Sequence, residues 1–403
     1  MNERSTAPRR AMDRALRRSP AISPQTLPHV GMVLHCEGPV PGLEEVAAHV
    51  AQRLPTVPAL RSTPAGSRWS IAESLDISSH VEERTLAPGS LDAAVGELIG
   101  APLPEPAWRL HLLHGHAPDG FALLFRVHHS LQDGGGILHT LEALFSEEAP
   151  ASAAYPGFAR PQRITIRDLA TSVRLLLGGT VRRGAWTAHP EGFSGSREHR
   201  WRTVPLDLLR SAAGRHSASV NDVFLAALAH ALVRTGERPP STPAAVPFLV
   251  PVNLRRPGEE AAPGNRVILT SLALPGGERT AAQRLSLTAQ ATGALRSASL
   301  RAALRRITDL TPVPVLAAVR RSVTSPAHAA MLASNVAVGR PLAFRGARVT
   351  GAAPVMWAPL GIPAAAVLTT YGDTATAGFV TDPAMPGLDG LPDLWREAVE
   401  TLA

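Results

Sequence analysis

The 403-residue chain exceeds one ordinary domain, and its 45% apolar and 18% charged residues describe a globular protein with a large core. All 40 basic residues are arginine, which excludes a Schiff-base lysine, and the single cysteine, Cys36, excludes an intrachain disulfide and a cysteine-based metal cluster. The net charge of +7 suits an acidic partner, but 4% aromatic residues without arginine–aromatic interleaving argue against nucleic acid.

Residues 1–27 are polar and rich in arginine (Arg4, Arg9, Arg10, Arg14, Arg17, Arg18), without the apolar stretch of a secretory signal, and are expected to form a disordered basic arm. Val30 to Cys36 reads as a strand, with Cys36 as buried filler, and Leu43, Val46, Val50 and Leu54 mark a helix after Gly42. Residues 59–85 alternate as antiparallel strands do, and a helix pattern follows at Leu91, Val95, Leu98 and Ile99. Trp108–Leu113 and Phe121–Val127 read as a strand pair. A linker is expected over 145–165 and a loop over 184–200. Between them, Ile164–Thr180 reads as an amphipathic helix that either joins two lobes or attaches to a lipid surface.

Farther on, Ser219 or Asn221 is placed to cap a long apolar helix through Val223, Leu225, Leu228 and Leu232. Strands are expected at 245–254, 266–274, 347–352, 365–371 and 375–381, two helices within Thr280–Val319, and a last helix over Leu391–Leu402. No run reaches the roughly 20 apolar residues of a membrane span, so a cytoplasmic location is expected, with peripheral membrane contact left open.

One string carries chemistry. The apolar strand Phe121–Val127 ends in His128 and His129, and three residues later come Asp133 and the glycines Gly134, Gly135 and Gly136. A histidine at the end of a rigid strand, beside a turn that exposes it, is well placed to take a proton from a substrate. The two histidines lack a third ligand at a recognisable spacing, so no metal is expected.

That string resembles the H-H-x-x-x-D-G signature of the coenzyme A-dependent acyltransferase superfamily, which includes chloramphenicol acetyltransferase and the condensation domains of nonribosomal peptide synthetases. Pro28-His-Val-Gly31, Pro106-Ala-Trp108, Asn221-Asp-Val-Phe-Leu-Ala-Ala227, Pro251-Val-Asn-Leu-Arg255, Gly264-Asn-Arg266 and Ser334-Asn-Val336, in that order, are similar to strings of the bacterial wax ester synthase/diacylglycerol acyltransferase branch. Ala107 stands where that branch has leucine, and Ser334-Asn-Val336 continues as Ala-Val-Gly-Arg rather than Pro-Gly-Pro.

The resemblance implies an α+β fold of two chloramphenicol-acetyltransferase-like lobes in a V, with the histidine in a tunnel at their junction. The expected division is an arm over 1–27, a first lobe over 28–160, a connecting helix and linker over 161–200, and a second lobe over 201–403. It implies that His129 is the general base, taking a proton from an acceptor hydroxyl or amine as that group attacks a thioester, with no acyl-enzyme. Side chains alternate along a strand, so His128 points away from His129 and has a supporting role. Asp133 would form a structural ion pair with an arginine, for which Arg255 is the candidate, and Gly134 would supply the turn. Asn221, Asn265, Asn335 and Trp108 are candidate substrate-binding residues. For Asn221 a helix cap, for Asn335 a loop bond and for Trp108 a core position are the competing readings.

The donor would be acyl-CoA or a carrier-protein thioester, with no tightly bound cofactor, and the acceptor a fatty alcohol or diacylglycerol. Alternatives are a tailoring or condensation-type enzyme acting on a natural product, and a catalytically silent protein that binds an acyl chain or a carrier.

Overall fold

The computed structural model describes residues 6–19, 21–147, 163–178, 193–235 and 245–403. In chain order its first elements are β1 (Thr6–Pro8), α1 (Ala11–Arg17), β2 (His29–Glu37), α2 (Leu43–Arg53), β3 (Ser62–Ala65), β4 (Arg68–Ile71), β5 (Val81–Thr85), α3 (Leu91–Ile99), β6 (Trp108–His114), β7 (Gly120–His128) and α4 (Gly134–Phe145). There follow α5 (Ile166–Gly178), β8 (Glu198–Pro205), α6 (Leu206–Arg215), α7 (Val220–Arg234), β9 (Ala245–Asn253), β10 (Val267–Pro275), α8 (Ala281–Gly293), α9 (Ala298–Leu310) and α10 (Val313–Val323). The chain closes with β11 (Met331–Ala337), β12 (Ala343–Phe344), β13 (Ala347–Val355), β14 (Ala364–Tyr371), β15 (Thr374–Thr381) and α11 (Leu391–Leu402). Two helices were expected within Thr280–Val319; α8, α9 and α10 occupy that region.

The chain folds as two compact units, one of Met1–Ala159, Arg255–Arg266 and Val336–Val355, the other of Arg160–Leu254, Val267–Asn335 and Met356–Ala403. This division differs from the expected cut near residue 160, because two later segments return to the first unit. One is β13, which pairs antiparallel with β2 from Arg348 opposite Glu37 to Val355 opposite Gly31. Backbone pairing across so long a separation leaves no local trace in sequence. Most of the linker expected over 145–165, and residues 184–192 of the expected loop, lie outside the described residues.

The first unit centres on a six-stranded sheet in the order β12-β13-β2-β7-β6-β5, antiparallel except where β5 meets β6. Central β7 is apolar on both faces: Phe121 through Val127 are all buried, including Arg126. Burial lowers the Arg126 guanidinium to about 10, and it donates to His111 and to the carbonyls of Ile99 and Ala101 at the end of α3. Gly31 makes the β2–β7 approach possible, since a Cβ there would fall 1.9 Å from the carbonyl oxygen of Phe125. Burial also pushes the Cys36 thiol up to about 12, which makes it inert filler.

A correction concerns the N-terminal arm. Residues expected to be disordered instead form β1, which pairs with β4 in a small antiparallel sheet β1-β4-β3, and α1. Met12, Ala15 and Leu16 share one face of α1 and are buried with Asp13, while the arginines point outward as salt-bridge and stacking partners such as Arg17 with Glu105 and Arg9 over Trp69.

The second unit has its own six-stranded sheet, β10-β9-β11-β14-β15-β8, with helices against it. Helix α7 is buried almost all round, from Asp222 to Leu232 apart from His230, and Trp395 of α11 meets Phe224 and Phe379 edge-on at 6.2 and 5.8 Å. Each unit is thus a mixed sheet flanked by helices, an α+β architecture. No helix among the described residues is long and apolar enough to cross a membrane.

Candidate active site

Strand β7 delivers His128 and His129 to its end, where the backbone stays tied to neighbours: His128 N–H donates to the Ala107 carbonyl at 2.9 Å and His129 N–H to the Pro28 carbonyl at 2.7 Å. Their rings diverge. His128 Nδ1 bonds the Ser130 hydroxyl at 2.8 Å and its ring meets His29 edge-on at 6.0 Å. Burial drives it down to about 3, so it is neutral and held among polar partners.

His129 is half-buried and turns Nδ1 to the Gln132 carbonyl at 3.1 Å. A carbonyl only accepts, so this contact favours the tautomer with the proton on Nδ1 and the basic lone pair on Nε2. Burial lowers the His129 pKa and the nearby Asp133 carboxylate offsets part of this; the imidazole is neutral near pH 7, as a base must be. Gln132 is itself fixed, its side-chain amide donating to Thr140 at 2.6 Å and to the Gly136 carbonyl at 3.3 Å.

Asp133 is fully buried and caps α4, accepting from Gly136 N–H at 2.9 Å. Its second oxygen accepts from Arg266 N–H at 2.7 Å, and Arg255 Nε donates to the first at 2.8 Å. Burial alone would raise its pKa; Arg255 and the backbone donors outweigh that and hold it below the usual carboxylate range. Arg255 also bonds the carbonyls of Glu259, Glu260, Ala262 and Gly264, so one ion pair fastens the whole 255–266 loop. Gly134 does not make the expected turn. It is the first residue of α4, with the cap at Asp133 and no left-handed φ.

Asn265, expected against substrate, has its carboxamide Nδ2 placed 3.1 Å from His129 Nδ1, and its backbone N–H donates to Asp13 at 2.7 Å. Trp108 is fully buried, stacked on His80 at 4.4 Å with its indole N–H on the Leu60 carbonyl, a core position. Asn221 and Asn335 belong to the second unit: Asn221 in the first turn of α7, Asn335 exposed on β11. There the cap of α7 is Ser219, paired with Asp222, which also binds Thr292 and Arg296. Asp13 and Gln132 were not singled out from sequence. Asp13 carried one legible signal, the apolar spacing of Met12, Ala15 and Leu16 around it. Among the described residues no group of three metal-ligating side chains converges.

Two α+β units, the first of which presents a histidine at the end of a central strand, match the fold expected of a chloramphenicol-acetyltransferase-like protein. The comparisons with known proteins narrow this. Residues 20–184 match the model of the wax ester synthase/diacylglycerol acyltransferase catalytic domain. A protein of Mycobacterium tuberculosis named as a diacylglycerol O-acyltransferase is 24% identical over 400 residues, covering 88% of this chain and 86% of its own. Among solved structures, the wax ester synthase/diacylglycerol acyltransferase from Marinobacter aquaeolei VT8 superposes with a TM-score of 0.64 at 22% identity, covering 98% of each chain. The first condensation domain of the calcium-dependent antibiotic synthetase gives 0.67 at 18% identity, covering 94% of this chain and 91% of that one. The chain is an acyltransferase whose residues 20–184 match the wax ester synthase/diacylglycerol acyltransferase catalytic domain and which is similar along most of its length to diacylglycerol O-acyltransferases.

Proposed function

We propose that the chain moves an acyl group from acyl-CoA to the hydroxyl of a fatty alcohol or diacylglycerol, with His129 as general base. The observation that carries this is the Nδ1 contact with the Gln132 carbonyl, which favours the tautomer whose basic lone pair is on Nε2. The oxygen attacks the thioester carbonyl, the C–O bond forms, the C–S bond breaks, and the imidazolium returns the proton to the departing thiolate. Each atom is accounted for without an acyl-enzyme. His128 and Asp133 act on geometry in this reading. Family members named for diacylglycerol acylation support the acceptor class. A related condensation domain was solved in complex with C8-CoA, which supports acyl-CoA as donor.

His129→Ala is expected to lower thiol release from acyl-CoA by about a hundredfold or more. Turnover within about tenfold of wild type would remove His129 from the base role. A mass-spectrometric screen of acyl-CoAs and carrier-bound acyl groups against alcohols and diacylglycerol identifies the pair; products formed only from the carrier-bound donor would replace CoA in this reading.

The acceptor's insolubility fits a lipid surface. Helix α5 exposes Ile166, Leu169, Val173 and Leu177 along one stripe, with Arg167 and Arg174 exposed as well. Leu169→Glu with Val173→Glu should abolish co-sedimentation with phosphatidylglycerol vesicles; unchanged binding would take α5 out of this role.

A further inference from the structure

His129 has two neighbours at Nδ1. The Gln132 carbonyl at 3.1 Å can only accept and so calls for a proton on Nδ1; the Asn265 carboxamide, placed with its Nδ2 at 3.1 Å, comes from a distant loop. An amide presents either oxygen or nitrogen by a half-turn of its side chain, and toward an N–H it presents the oxygen. We propose that Asn265 is a positioning residue for His129, its amide oxygen holding the Nδ1–H tautomer, and that Asp13 holds Asn265 in place from α1. The proposal rests on the reading of His129 as general base, and all three residues lie in one unit.

The backbone around Asn265 is pinned on each side. Before it, the Gly264 carbonyl accepts from Arg255 at 2.9 Å and Gly264 N–H donates to the Leu131 carbonyl at 2.6 Å. After it, Arg266 N–H donates to Asp133. At Asn265 itself, the N–H meets Asp13 Oδ1 at 2.7 Å. The other Asp13 oxygen accepts from Arg10 N–H at 2.8 Å and the Trp69 indole at 3.3 Å. Gly264 has φ +100°, and a Cβ there would fall 2.6 Å from the Asp13 carboxylate, so carboxylate and loop fit only through a glycine. A fully buried aspartate in an otherwise basic segment is costly unless its bonds are made, and these are the bonds. The structure therefore fixes the direction of the Asn265 side chain before any substrate arrives.

When Nε2 takes a proton, the ring becomes cationic and its Nδ1–H bonds strengthen. An amide oxygen at that position favours the imidazolium; so does Asp133, itself paired with Arg255, while the adjacent His128 is held neutral by burial and Asp13 lies behind Asn265. Losing the amide should lower both the basicity of His129 and the fraction in the productive tautomer.

The test uses the full chain with isotope-labelled histidine, reading the tautomer and titration of His129 by long-range nitrogen–proton correlation. The His129 signal is assigned by its loss in His129→Gln. Asn265→Leu keeps size without polarity and should move the titration down by about one pH unit and mix the tautomers. Asn265→Asp keeps an acceptor oxygen, adds charge and should move it up. Asp13→Asn should shift the titration in the same direction as Asn265→Leu, and should add nothing in an Asn265→Leu background. With palmitoyl-CoA and hexadecanol, Asn265→Leu should lower kcat by about ten- to hundredfold while KM stays within about threefold. Unchanged tautomer and titration in folded Asn265→Leu and Asn265→Asp overturn the proposal, as does a rise in KM with kcat unchanged. Where Asn265→Leu fails to fold, the isosteric aspartate variant carries the test. Wild-type turnover in His129→Ala would instead sink the general-base reading and leave the tautomer result standing.

Discussion

Arg255→Leu should be among the most damaging single changes in the first unit. The side chains of Arg255 and Asp133 are about 1% and 0% exposed. The leucine would leave Asp133 buried with only the Gly136 and Arg266 backbone donors. It would also strip donors from four carbonyls, two of which, at Glu260 and Gly264, are in buried bonds. Breaking one side of a buried pair costs about 3–5 kcal/mol. For a unit of this size about 2–4 °C of melting temperature goes with each kcal/mol, so the loss is about 6–20 °C. Asp133→Asn keeps the cap of α4 but leaves the guanidinium without its counter-charge. The double variant should cost less than the two single costs combined, by about 2 kcal/mol, because no lone buried charge remains. Thermal melts followed by circular dichroism measure all three. A melting point for Arg255→Leu within about 2 °C of wild type, or strictly additive costs, would refute the claim that this pair fastens the loop.

Gly31→Ala should abolish soluble protein or lower its melting point sharply, because the strands must part to admit a Cβ; Gly96→Ala, with open space at its Cβ, should be neutral or stabilising by about 0.5–1 kcal/mol. Equal behaviour of the two in the same melt would dismiss the close-approach argument. Acid should destabilise the fold early. Burial holds His29 and His199 at about 4 and His111 and His128 at about 3, so below about pH 6.5 the unfolded chain binds protons that the folded chain refuses. Their contribution is complete above that pH and is lost as pH falls toward about 4, by up to about 1.4 kcal/mol per group per pH unit. Asp13 and Glu142, raised by burial, oppose this with fewer groups. Melting points should therefore drop between about pH 7 and pH 5; a flat or rising profile would contradict the burial of these rings.

What could be read from sequence followed the range of each interaction. The apolar run into His128 and His129 and the capped helix α7 are local, and the periodicity displays them. The Asp133–Arg255 pair spans 122 residues, and only its resemblance to a known motif suggested it. Asp13 was not singled out within the arginine-rich arm because its partner Asn265 is 252 positions away. Asn265 was legible as part of a motif, but the direction of its side chain depends on that distant carboxylate. Gly134 was read as a turn and is the first residue of α4, since a glycine run signals either a turn or a helix start, and the Asp133 cap decides between them.

The pairing of β2 with β13 bears on how the chain is made. Until residues 347–355 emerge, the β2 edge facing β13 has no neighbour in its sheet, although β7 covers its other side much earlier. At about 5–20 residues per second that edge waits roughly 15–60 s after β2 has left the ribosome. A bare, apolar strand edge held open that long is a template for wrong partners, including the same strand on a neighbouring nascent chain. Expression should therefore respond more to slower crowding of ribosomes, lower temperature and edge-binding chaperones than to changes in the finished core. A permuted gene that places residues 343–355 just ahead of His29 would close the sheet at birth.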